Sequence, residues 1–157
     1  MKLNARGDIE APLEVVFTSF ADTGYWEAAA SHRGAEVTRT DRLHAVGPGM
    51  AWNVGFRFRG KRRQLSVKLI AMEPEQKMVF HVIGGSFDAF VTLDFMELSA
   101  RHSRVNVATE VKPRNLAARV FIQSMRLARS KLERRYETRI GTLCHEVEER
   151  SRSRAGR

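Results

Sequence analysis

Trp52-Asn-Val-Gly-Phe-Arg-Phe58 places an apolar side chain at every second position, alternating with Asn, Gly and Arg. A period of two predicts a β-strand with one buried and one solvated face. The same alternation returns in three later segments, 65–69, 87–95 and 105–111. Residues 78–83 are apolar nearly throughout and are also predicted to form a strand, and Val37 opens a shorter strand upstream. Because gaps of only about two to five residues separate most of these segments, the strands are predicted to form an antiparallel meander.

Helical spacing flanks this meander on both sides. Residues 2–10 are predicted to form a first strand, and Pro12 suits the first turn of a helix over 12–20. Asp22 can cap a second short helix, which is predicted to end at Gly34. After the meander, apolar residues recur at three- and four-residue steps from Asn115 to about Glu148 without a proline, which predicts one helix of about 33 residues.

The opening segment Ile9-Glu-Ala-Pro-Leu-Glu-Val-Val-Phe17, followed by Asp22 and Trp26, resembles the first strand and first helices of the helix-grip superfamily. This superfamily (SRPBCC) comprises START-like, polyketide cyclase/dehydrase and lipid-transport domains. The resemblance covers about residues 3–148 and implies an α+β fold, a curved antiparallel sheet of six to seven strands wrapped around a long C-terminal helix. It also implies an apolar cavity between that helix and the sheet.

Composition excludes several other classes of protein. The 157 residues are 43% hydrophobic and 29% charged, typical of one globular domain, and no apolar run reaches the length of a membrane span. The single cysteine, Cys144, excludes an intrachain disulfide and a cysteine-rich zinc site. The N-terminus has no apolar signal-peptide core. A cytoplasmic protein is the expectation.

The positive charge is concentrated in the last third of the chain. The net charge is +9, and residues 112–157 hold 13 basic and five acidic side chains. We expect a single domain over 1–149 and a basic, disordered tail over 150–157. A second basic cluster lies at Arg57–Arg63. These segments are either solvated surface or a binding site for an anionic membrane or RNA; sequence-specific nucleic-acid recognition is not expected, since aromatic residues are absent from the tail.

Alternation places a set of apolar side chains on the inner face of the sheet, as ordinary core or as the wall of a ligand cavity. From the sheet these are Trp52, Phe56, Phe58, Phe87, Val91 and Phe95, and from the C-terminal helix Met125, Leu132 and Tyr136.

Three further expectations concern polar groups. Tyr136 either orients a ligand through its hydroxyl or reaches solvent. Trp26 lies either at the cavity entrance or against the edge of the sheet. His81 is in an apolar strand whose alternation does not decide which way it faces; if it faces inward, it is a candidate proton donor or acceptor.

No catalytic or metal-binding motif is present in the sequence, and no cofactor is expected. The leading hypothesis is therefore a domain that binds a small hydrophobic or amphipathic molecule, such as a lipid, a quinone or a polyketide-like compound, without catalysis. The alternatives are a cyclase or dehydratase that uses the same cavity, and a peripheral binder of anionic membrane or RNA. The sequence leaves the identity of the ligand and the oligomeric state open.

Overall fold

The alternating segments form the strands of one antiparallel sheet in the computed structural model, which describes residues 1–156. The sheet has the order β1-β7-β6-β5-β4-β3-β2, so every strand from β2 to β7 lies beside its neighbours in sequence and β1 closes the β7 edge. This confirms the predicted meander. The strands are β1 (Lys2–Ile9), β2 (Glu36–Arg39), β3 (Ala51–Phe58), β4 (Lys61–Glu73), β5 (Lys77–Ile83), β6 (Phe87–Ser99) and β7 (His102–Pro113).

Two short helices follow β1, as the sequence predicts. They are α1 (Leu13–Ala21) and α2 (Thr23–His32). Asp22 caps α2 because its side chain accepts a hydrogen bond from the backbone N–H of Tyr25 at 3.3 Å. Gly34 follows α2 with a φ of +96°, a left-handed conformation that favours glycine.

The C-terminal helix differs from the prediction, because it is broken. It consists of α3 (Leu116–Met125), a 3₁₀ turn (Arg126–Ala128) and α4 (Arg129–Ala155). Asn115 caps α3, accepting from the N–H of Ala118 at 2.8 Å. The two helices pack against different strands, α3 against β7 and α4 against β1. The two helices therefore need not share one straight axis. Leu127, at the break between them, is 93% exposed.

The tail also differs from the prediction, since α4 continues through Ala155 instead of ending near residue 149. Arg150 explains the extension. Its guanidinium lies 3.4 Å from the centre of the Tyr25 ring and makes an ion pair with Asp22 at 3.0 Å. The last predicted tail residue, Arg157, lies outside the described residues.

The core lies between the inner face of the sheet and helices α1 and α4. On α4, the buried side chains are Ile140, Cys144 and Val147, at three- and four-residue steps. Cys144 packs against Gly7 of β1, where a Cβ atom would lie 2.9 Å from the Cys144 Cβ and still closer to its sulfur. The glycine therefore allows helix and strand to approach this closely.

Candidate functional site: an apolar cavity beneath helix α2

A cavity of about 310 Å³ lies between α2 and the inner face of the sheet. Its wall is almost entirely apolar, and its size lies at the lower end of the range for small-molecule sites. The lining residues are Phe20, Thr23, Trp26, Glu27, Ala30, Val37, Trp52, Val54, Val67, Met78, Phe80, Leu93 and Leu143.

Strand alternation and register build the floor of this cavity. Trp52 pairs directly with Val67 across β3 and β4, and Val54 pairs with Val37 of β2. Side chains at paired positions point to the same face of a sheet, so these groups converge. Helix α2 supplies the roof through Thr23, Trp26, Glu27 and Ala30, which lie on one face at three- and four-residue steps.

Trp26 is held rigidly in the cavity wall. Its indole N–H donates to the backbone carbonyl of Ser19 at 3.0 Å, and its ring stacks on Phe20 with centroids 6.0 Å apart. The polar atom of the indole is thereby satisfied by the protein, and the ring offers an apolar surface to the cavity.

One polar group on the wall is a carboxylate. The indole N–H of Trp52 donates to Glu27 Oε1 at 2.7 Å. Arg39 reaches the same oxygen at 3.9 Å and lies 5.7 Å from the centre of the Trp52 ring. The cavity therefore has an apolar body and one polar edge, formed by Glu27 with Arg39 next to that carboxylate.

Arg39 is itself fixed by Asp41. Two hydrogen bonds join them at 2.6 and 2.7 Å, and Asp41 also accepts from the backbone N–H of Ala51 at 2.8 Å. The Arg39 hydrogen bond, followed by the bond from Ala51, holds the pKa of Asp41 far below its usual range. The partner carboxylate in turn raises the pKa of Arg39. This ion pair fixes the position of the Arg39 guanidinium beside Glu27.

The predicted site residues separate into several groups. Trp26 and Trp52 lie on the cavity wall. Phe95 lies in the core, with its ring 5.1 Å from that of Phe17, and Val91 packs against the same core. Phe87 lies at the far end of β6, 6.0 Å from the Phe121 ring.

The remaining apolar members lie away from the cavity. Phe56, Met125 and Leu132 are partly buried but do not line it. Phe58 does not line the cavity either: it is 54% exposed, and the Arg59 guanidinium lies 5.3 Å from its ring centre. Phe58 is the last residue of β3, beyond the part of the sheet that the helices cover.

Tyr136 faces the sheet from α4 but does not line the cavity. Its hydroxyl forms a hydrogen bond with Thr109 Oγ1 at 2.9 Å and donates to the carbonyl of Val107 at 3.2 Å. Burial raises the pKa of Tyr136, and the Thr109 bond partly offsets the shift. Its hydroxyl thus links α4 to β7.

His81 faces away from the cavity. Its strand neighbour Phe80 lines the cavity, and adjacent strand residues point to opposite faces. The imidazole stacks on Phe90, with centroids 4.4 Å apart, and its Nε2 lies 4.0 Å from Asp88 Oδ2. This position removes His81 from any chemistry inside the cavity.

Sequence reasoning missed most of the wall. Val54 and Val67 follow the same alternation as Trp52, so the pattern was available, but no pattern showed which part of the inner face the helices leave uncovered. Glu27 had no signal at all, because a glutamate on a short helix is normally solvated.

Among residues 1–156 no group of three or more His, Cys, Asp or Glu side chains is placed to hold a metal ion. In the same range, no helix has the length and apolarity needed to cross a membrane.

Comparison with known proteins places this architecture in one structural class. No protein-family model matches the chain, and no curated protein matches its sequence. Solved structures do match. The protein TTHA0849 from Thermus thermophilus is 18% identical with a TM-score of 0.68, and the match covers 98% of both chains.

Two other solved structures are similar over most of their length. The Zhui aromatase/cyclase from Streptomyces sp. R1128 is 12% identical with a TM-score of 0.69, covering 96% of this chain and 94% of its own. A START superfamily protein from Mycobacterium smegmatis is 10% identical with a TM-score of 0.58, covering 87% and 97%. The chain therefore has the helix-grip fold, which confirms the resemblance drawn from its opening segment. At these identities the likeness establishes the fold alone.

Proposed function

We propose that this protein binds a small amphipathic molecule in the cavity beneath α2. The observation that carries the proposal is the cavity of about 310 Å³ whose wall is apolar except at one edge. Burial of an apolar ligand surface contributes about 25 cal/mol per Å², so about 200 Å² of buried ligand surface supplies about 5 kcal/mol before the costs of association. Lipids, quinones and aromatic polyketides provide such surfaces.

The polar edge defines how the ligand is oriented. Glu27 uses one oxygen for the Trp52 indole, and its second oxygen can accept a hydrogen bond from a ligand hydroxyl. Arg39, held by Asp41, can donate to a ligand carbonyl or phenol oxygen. We therefore expect the apolar body of the ligand to lie against Val54 and Val67, with its oxygen substituent toward Glu27 and Arg39.

Binding without catalysis fits the cavity better than a cyclase or dehydratase. Acid–base catalysis needs at least two polar groups within reach of one substrate. The two residues first considered for that role are placed elsewhere, since His81 faces outward and the Tyr136 hydroxyl is bonded to Thr109 and Val107. Glu27 would be the one group at the polar edge able to exchange a proton, since Arg39 stays protonated. Turnover of an aromatic polyketide that is lost in Glu27→Gln would favour the enzyme.

Two matched variants on α2 test the proposal. Ala30 lines the cavity and Ala28 is exposed, so Ala30→Phe fills the cavity while Ala28→Phe adds the same side chain to the surface. Thermal-shift and native mass spectrometry screens against lipids, quinones and aromatic polyketides should give ligands for the wild type and Ala28→Phe. Ala30→Phe should lose at least tenfold in affinity. Equal binding by all three proteins would contradict the proposed site.

A further inference from the structure

Helix α3 carries apolar side chains on two opposite sides. Its inner side buries Ala118 and Ile122, which are 4% and 5% exposed. At 3.6 residues per turn, Leu116, Val120 and Leu127 fall on the opposite side. They are 75%, 58% and 93% exposed, so this outer stripe contacts solvent.

Such a stripe is unusual for a helix on the surface of a globular protein. The outward face of a surface helix is normally polar, and exposed apolar residues normally occur singly. Here three large apolar side chains share one line along α3 and the 3₁₀ turn that follows it. A stripe of this kind is typical of a surface that contacts another protein or a membrane.

The sequence around the stripe is basic, and two of its arginines are paired with carboxylates: Arg114 lies 3.3 Å from Asp88 and Arg129 lies 2.8 Å from Glu133. Between residues 112 and 132 the sequence holds six basic side chains and no acidic one. Arg119 and Arg126 lie on α3 and its 3₁₀ extension, and both are exposed. The other four are Lys112, Arg114, Arg129 and Lys131.

The β3–β4 hairpin, which also carries basic and exposed apolar side chains, lies at the same end of the sheet as α3. The register pairs Phe58 with Lys61 across the β3–β4 hairpin and Phe87 with Pro113 just before α3, so both elements leave the sheet at one end. The exposed Phe58 lies within the basic run 57–63. The first residue of β4 that pairs with β5 is Ser66, five residues after β4 begins at Lys61. The β3–β4 hairpin therefore extends about 17 Å past the end of β5. Arg62 in this run is paired with Glu36.

We propose that this end of the protein docks on an anionic membrane surface, with the outer stripe of α3 in the interfacial layer and the surrounding arginines on lipid phosphates. An interfacial helix buries an apolar face among the acyl chains and holds Lys and Arg at the level of the headgroups. Here Arg119 and Arg126 lie about 90° around the helix from the stripe, so they flank it. A second copy of the chain is a poorer occupant, because a symmetric contact would bring the same all-basic segment against itself. RNA would match the charge but leaves the exposed Leu116 and Leu127 without a role.

This inference goes beyond ligand binding in the cavity and does not depend on it. The stripe and the cavity share no residue. Either proposal can therefore fail while the other stands.

Vesicle co-sedimentation tests the docking. The wild-type protein should bind vesicles of phosphatidylcholine and phosphatidylserine (7:3) more tightly than vesicles of phosphatidylcholine alone, and added salt should weaken the binding. Leu116→Ser/Val120→Ser/Leu127→Ser should lose at least tenfold in affinity. Arg119→Gln/Arg126→Gln should lose about fivefold for each arginine removed.

Matched controls come from the opposite end of the sheet. Met96→Ser/Leu98→Ser removes two exposed apolar side chains there, and Arg42→Gln/Arg101→Gln removes two loop arginines. Both should bind vesicles like the wild type. The proposal is overturned if the wild type ignores anionic vesicles, or if the controls lose as much as the α3 variants. It is also overturned if the protein binds an RNA oligonucleotide but not vesicles, or if light scattering shows a dimer that the stripe variant dissolves.

Discussion

Replacing Gly7 with alanine should displace α4 from the sheet. The new methyl group would lie 2.9 Å from Cys144 Cβ and closer still to the sulfur, whereas carbon atoms in contact prefer about 3.5–4.0 Å. The overlap occurs in the core, where Cys144 is 3% exposed. Strand or helix must therefore shift.

The cost follows from this overlap. Overpacking a core by one methyl group costs about 1–3 kcal/mol, and a clash against a backbone-anchored Cβ lies at the upper end of that range. A loss of about 3 kcal/mol in the free energy of unfolding lowers the Tm of a domain of this size by roughly 6–12 °C. The loss of glycine flexibility in the unfolded chain offsets less than about 1 kcal/mol.

Urea denaturation of a double-mutant cycle measures the effect. Cys144→Ala alone should cost about 1 kcal/mol because it leaves a small void. Combined with Gly7→Ala it should recover about 1 kcal/mol of the loss, since the nearer obstacle, the sulfur, is removed while the Cβ at 2.9 Å remains. If Gly7→Ala is as stable as the wild type, or if the two costs simply add, the packing of α4 on β1 described here is wrong.

Two further predictions concern pH and the C-terminal turns. Burial raises the pKa of the Cys144 thiol to about 11, so the thiol favours the folded state below pH 9 and this contribution is lost as the pH rises toward 11. Stability should fall over that range by up to about 2 kcal/mol more in the wild type than in Cys144→Ala, and parallel pH profiles would contradict this. Arg150→Ala should destabilise the protein by about 1–2 kcal/mol and speed hydrogen exchange in 150–155 about tenfold, because it removes the contacts with Tyr25 and Asp22. The more exposed Arg154→Gln should change exchange much less, and equal effects of the two variants would refute the role assigned to Arg150.

The fold was predictable because its signals are local. The alternation around Trp52 and the turns between the segments determine the meander, and the caps at Asp22 and Asn115 lie where the sequence places them. The break at residues 126–128 was not predictable. Apolar spacing continues through it, and the two helices differ in their main contacts, α3 with β7 and α4 with β1.

The candidate site was less predictable than the fold. Alternation separates the inner face from the outer face, but the position of the cavity depends on where α2 lies and on how far the helices cover the sheet. The predicted site therefore included Phe58, which lies beyond the part of the sheet that the helices cover. It omitted Val67, which lines the cavity beneath α2. The helical tail depends on Arg150 reaching Tyr25, a contact between residues 125 positions apart that no local pattern shows.

Locating a bound probe by NMR tests most directly whether the cavity beneath α2 is the binding site. With methyl-labelled protein and 2-naphthol, whose hydroxyl can donate to Glu27, intermolecular NOEs should reach the methyl groups of Ala30, Val54 and Val67. NOEs confined to Leu116 and Val120, or saturable binding without any NOE to the cavity methyl groups, would show that the cavity beneath α2 is not the binding site.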